Sequence, residues 1–119
     1  MTDDARVGSL EDLVKLRVPP AEARERLRVF CWDSDEQLVT LTRADLHRVL
    51  DEYLQENLSA EAVELWANAV ESRDDIGLEQ GFEAVIRDLV FQLATPEITT
   101  SLTASAALAS KRQLEQARS

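Results

Sequence analysis

Thr42-Arg43-Ala44-Asp45-Leu46-His47-Arg48-Val49-Leu50-Asp51-Glu52-Tyr53-Leu54 is the stretch that decides the fold. Leu46, Val49, Leu50, Tyr53 and Leu54 recur at i, i+3, i+4, i+7 and i+8, which lines one face of a helix with apolar side chains. Thr42 stands just ahead of this run and Asp45 three residues on, so each side chain can satisfy an N–H that the first turn leaves unpaired. The same template repeats downstream. Ser59 caps a helix to about Ser72 with Val63, Trp66, Ala67 and Val70 facing inward, and Phe82, Val85, Ile86, Leu89, Val90 and Leu93 make the most apolar face of the chain up to Ala94. Asn57 marks the end of the Thr42 helix, Asp74-Asp75-Ile76-Gly77 reads as a turn, and Thr95-Pro96-Glu97 as a stop.

Upstream the signals are weaker. Ser9, with Asp12 three residues on, opens a short helix carrying Leu10, Leu13 and Val14, and Pro19-Pro20 ends it. Pro20 suits a first helical position, where its missing N–H costs nothing, and Ala23, Leu27, Phe30 and Cys31 then share a face until about Trp32. Gln37 to Leu41 is β-branched and roughly alternating, an extended stretch too isolated to imply a sheet. The segment from Leu102 to about Ala117 is rich in Ala and Ser with a thin apolar stripe. It is expected to dock weakly over 102–119, while residues 1–8 are expected to be a flexible tail.

At 119 residues and 45% hydrophobic, the chain can bury a self-sufficient core as one domain. Three Gly and three Pro are too few for a turn-rich β-sandwich. The expected fold is therefore all-α, a compact single-domain bundle of about five or six short helices over 1–119. No basic and apolar leader follows Met1 and no apolar run reaches the roughly 18 residues of a membrane span, so a cytoplasmic protein without membrane contact is expected.

Several chemistries lack their residues. His47 is the only histidine and Cys31 the only cysteine, so neither a tetrahedral zinc set nor a two-histidine helical metal motif can be assembled in one chain. Asp33-Ser34-Asp35-Glu36 lacks the glycine and terminal bidentate Glu of a calcium loop. A Cys31–His47 nucleophile pair has no supporting motif, and Gly8, Gly77 and Gly81 form neither a nucleophile elbow nor a phosphate loop. Carboxylates are plentiful, but Glu71, Asp74 and Asp75 stand together at a helix end rather than in contrasting environments. A non-enzyme with no cofactor, no metal and no catalytic residue is expected. A helix-turn-helix reading of the Thr42 and Ser59 helices would put Glu61 and Glu64 against phosphates, which disfavours nucleic acid.

Charge is the feature with functional content. Between residues 59 and 100 nine carboxylates face only Arg73 and Arg87, whereas Lys15, Arg17, Arg24, Arg26 and Arg28 outnumber Glu22 and Glu25. The molecule is expected to be dipolar, with an acidic side that steers a basic partner. The residues expected to meet that partner are Glu61, Glu64, Glu71, Asp74 and Asp75, with Trp32 beside its polar loop as an interface anchor. Arg24 and Arg28, at i and i+4, are expected to pair with the protein's own carboxylates.

Trp66-Ala67-Asn68-Ala69-Val70-Glu71-Ser72-Arg73-Asp74-Asp75-Ile76, with Leu93-Ala94-Thr95-Pro96-Glu97-Ile98, resembles a pattern in small helical bacterial proteins of unassigned function. Phe30-Cys31-Trp32-Asp33 and Leu41-Thr42 fit the same pattern. The resemblance implies the helical fold and no activity; Arg73 is read as neutralising the acids beside it and fixing a turn at Gly77, where positive φ is inexpensive. Size and acidity are also similar to those of immunity proteins of bacterial toxin systems. The leading expectation is a non-enzymatic acidic module that binds a basic protein, in the manner of an immunity-type inhibitor. The alternative is a self-associating structural module, a homodimer formed through the last helix or exposed aromatics.

Overall fold

The computed structural model describes residues 2–30, 36–99 and 101–117. The first helix, α1 (Thr2–Val14), begins a full two turns earlier than Ser9. Residues 2–8, expected to belong to a flexible tail, are helical instead. Leu10, Leu13 and Val14 are fully buried, and Arg6 lies one turn ahead of Leu10 on the same face, where it reaches the distant Asp75. A contact made 69 residues away holds a turn that local propensity alone does not. The helix closes with Leu16 at φ 56°, Leu16 N–H donating to Leu13 O at 3.3 Å and Arg17 N–H to Asp12 O at 2.9 Å. That is a Schellman closure built on a leucine.

Pro20 opens α2 (Pro20–Leu27), which buries Ala23 and Leu27 and ends before Trp32 is reached. The stretch that follows leads into β1 (Val39–Leu41). Its partner, β2 (Ile76–Leu78), runs parallel to it with Val39 opposite Ile76 and Leu41 opposite Leu78. Residues 76–78 are thus a strand and not a turn. A two-stranded ladder whose partners are separated by two whole helices leaves no local pattern to read, and its central glycine reads as a turn residue. Gly77 does not have positive φ; Gly81 does, at 89°, just before the next helix. A Cβ at Gly77 would collide with the Gln37 side chain folded over it.

The remaining helices stand where the periodicity places them: α3 (Arg43–Leu54), α4 (Ala60–Glu71), α5 (Glu83–Ala94) and α6 (Ala104–Gln116). Thr42 and Asp45 form the reciprocal cap on α3, and Ser59 caps α4 through the Ala62 N–H. Val63, Trp66, Ala67 and Val70 are buried on α4 and Ile86, Leu89, Val90 and Leu93 on α5, and these two faces form the largest helix contact in the molecule. Trp66 is core, its Nε1–H donating to Leu13 O at 2.9 Å and tying α4 to α1. On α6, Ala107, Ser110 and Leu114 are buried in a narrow stripe against α3, with Lys111 paired to Asp51 and the Tyr53 hydroxyl donating to Leu102 O. The architecture is largely all-α, with the short parallel sheet set between α1 and the α4–α5 pair. No helix among the described residues is long and apolar enough to cross a membrane.

Candidate functional site

The acids of this chain separate into buried and exposed groups, and the sheet organises the division. Asp75, immediately before β2, has 0% exposure. Arg6 Nε donates to its Oδ2 at 2.9 Å, while Arg73 Nε and Nη2 donate to Oδ1 and Oδ2 at 3.0 and 2.9 Å. Its backbone carbonyl accepts from Leu38 N–H at 2.8 Å, so the same residue starts the β1–β2 ladder. Burial penalises the charged carboxylate, but the hydrogen bonds and positive charges of Arg73 and Arg6 outweigh it and hold Asp75 below the usual carboxylate range. The placing of Asp75 on a partner-binding face is corrected: it is an internal counterion with no surface to offer. Arg73 acts on Asp75 as a planar two-pronged donor.

Two further carboxylates are committed at the other end of the strands. Asp45 is also fully buried; its Oδ2 accepts from Thr42 N–H at 2.9 Å and its Oδ1 from Lys15 Nζ at 2.9 Å and Arg48 Nη1 at 3.1 Å. Glu79, next after β2, accepts from Arg43 Nε and Nη2 at 2.9 and 3.1 Å and from Arg43 N–H at 3.0 Å. Those side-chain and backbone bonds lower the Glu79 pKa, and the Glu79 hydrogen bond raises that of Arg43. The Arg43 guanidinium also lies 3.4 Å from the centroid of the Phe82 ring. Arg6 thus ties the first half of α1 to the start of β2, and Lys15, just past its last turn, ties it to Asp45 at the start of α3.

Among the described residues, two grooves carry the exposed acids expected to meet a partner. The larger, about 1030 Å³, lies between the end of α2 and α4. It carries Glu61 and Glu64, but Arg24 and Arg28 face them across it, and Val29 stands 80% exposed on its wall. Arg28 pairs with Glu25 at 3.1 Å, Arg26 with Glu22 and Asp12, and Arg17 with Glu11, so much of the basic stretch on the α1–α2 side is neutralised within the fold. That shortens the expected dipole without removing the net negative charge.

The second groove, about 650 Å³, runs along β2 between the end of α4 and α5. Glu71, Asp74, Glu83 and Asp88 line it, all exposed, and of its two arginines Arg73 is held on Asp75, leaving Arg87 to face four carboxylates. Its floor is apolar: Ile76, Leu78, Val90 and Phe91, the last 44% exposed. Of the six residues expected to bind a partner, the structure brings Glu71 and Asp74 together here, places Glu61 and Glu64 in the other groove, and buries Asp75; Trp32 lies outside the described residues, as do Cys31 and residues 33–35. Glu83 and Asp88 are the members that sequence reasoning missed. Their positions on the polar side of the α5 stripe, opposite Leu89 and Leu93, were the available signal.

Among the described residues no three His, Cys, Asp or Glu side chains converge closely enough to hold a metal ion, and the buried carboxylates all face cations rather than one another. The fold and its surface define a largely helical domain with an acidic cleft beside the edge of a short parallel sheet. Comparison with protein-family models, curated proteins and solved structures finds no match to this chain.

Proposed function

We propose that this chain is a non-enzymatic protein-binding module that engages a basic protein partner through the acidic cleft beside β2, in the manner of an immunity-type inhibitor. One observation supports the reading above the rest: Glu71, Asp74, Glu83 and Asp88 are exposed around an apolar floor, with Arg87 as the cation left to oppose them. Such a rim accelerates encounter with a basic surface, and the apolar floor gives the docked partner something to bury. The α2–α4 groove has a smaller excess of acid, since Arg24 is left to oppose Glu61 and Glu64 once Arg28 is paired with Glu25 and Arg73 with Asp75.

The test compares Glu71→Lys/Asp74→Lys with Glu61→Lys/Glu64→Lys. Partners captured by the wild-type chain at low salt are purified, and their association rates are measured as salt rises. The cleft pair of substitutions is expected to abolish capture with circular dichroism unchanged, and the groove pair to weaken it far less. Capture that survives Glu71→Lys/Asp74→Lys sinks the reading. The alternative, self-association, draws on Leu108 on α6 and on Ile98, 45% and 70% exposed. Sedimentation across a concentration range separates the two, since a dimer indifferent to salt favours the second.

A further inference from the structure

The cleft is bounded by a strand edge that has no partner among the described residues. In the observed register, Val39 N–H donates to Asp75 O and Glu79 N–H to Leu41 O, so β1 is paired with the main-chain groups of residues 75, 77 and 79. The alternation of a parallel ladder then turns the N–H and C=O of Ile76 and Leu78 the other way, toward the cleft. Among the described residues neither has a hydrogen bond on that side, and the sheet ends at β2. β1 is packed against α1, so this is the edge that opens onto a groove.

We infer that the occupant of this cleft is an extended, lysine- or arginine-bearing segment of the partner protein, which adds to β2 as a third strand. The inference rests on the acidic-cleft reading and deepens it. The edge offers two donors and two acceptors in strand spacing, a template for main-chain pairing. Alternate side chains of the added segment fall toward Val90 and Phe91, while cations on the segment meet Glu71, Asp74, Glu83 and Asp88. Charge complementarity thus selects a basic segment, and the unpaired edge selects an extended one over a helix.

The experiment uses the whole chain and a capped peptide of alternating lysine and valine, with two modified forms: one N-methylated at the valine amides, the other at the lysine amides. Strand addition pairs only one edge of the peptide, so one modified form is expected to bind like the parent and the other to lose about tenfold or more, the effect of removing a pair of hydrogen bonds. The amide resonances of Ile76 and Leu78 are expected to shift and to gain exchange protection. Leu78→Pro, which removes an edge N–H without breaking a β1–β2 bond, is expected to weaken the parent peptide comparably. Equal affinities of the two modified forms overturn strand addition, and if Glu71→Lys/Asp74→Lys still abolishes their binding, the acidic-cleft reading stands without it. A parent peptide that neither binds nor moves the Ile76 and Leu78 amides overturns the inference. So does a dimer of the chain that Leu78→Pro dissolves, which would assign the edge to a second copy.

Discussion

The two sides of β1–β2 hold the same kind of side chain in opposite conditions. Where the ladder begins, Asp75 is enclosed and gripped by Arg6 and Arg73; across β2, Glu71, Asp74, Glu83 and Asp88 stand in water around an apolar floor. Asp74 and Asp75 are neighbours in sequence and fall on different sides of this division. Formal charge counts them alike, but burial and the supply of cations decide which one belongs to the fold and which is available to a partner.

The sharpest way to break this comparison is to neutralise the buried acid. Asp75→Asn leaves Arg6 and Arg73, with side chains 18% and 8% exposed, facing an uncharged amide, and is expected to cost about 3 kcal/mol or more. Urea denaturation checks this as a lower midpoint at unchanged slope; a loss under about 1 kcal/mol would show that the clamp is not what holds the start of α1. A smaller effect is expected on acidification. Asp75 and Glu79 have carboxyls lowered by their arginines, so the unfolded chain takes up protons first as pH falls. Their contribution is complete above the ordinary carboxylate range and is lost below about pH 4, as pH passes through the depressed folded values. Stability measured against pH should show this acid limb, shallower in Asp75→Asn, and equal limbs in the two proteins would remove Asp75 from the account. The smallest change belongs to the open side: Glu71→Lys/Asp74→Lys is expected to alter unfolding free energy by no more than about 0.5 kcal/mol per site. A large destabilisation in that variant would mean that the cleft acids also support the fold.

The helices with complete local signals were legible in advance. Thr42 with Asp45 and Ser59 with Ala62 mark their own starts, and the inward residues of α3, α4 and α5 follow from spacing alone. What escaped reading depends on residues far apart in the chain. The first two turns of α1 carry almost no apolar stripe and are held by the pairing of Arg6 with Asp75. β2 is three residues long with glycine in the middle, and becomes a strand only because β1 lies beside it. The candidate site was half legible for the same reason: Glu71 and Asp74 are contiguous enough to read as a patch, whereas Glu83 and Asp88 join them only once α5 has packed onto α4.

The order in which the ladder is strung along the chain has a kinetic consequence. β1 and β2 meet across the whole of α3 and α4, and the Arg6–Asp75 pair closes a span of 69 residues, so these contacts require the entropy of large loops to be surrendered before they can form. The α4–α5 hairpin needs no such closure and is the natural nucleus of folding. Lesions at the clamp should therefore appear mainly as faster unfolding, while refolding speed follows changes within that hairpin.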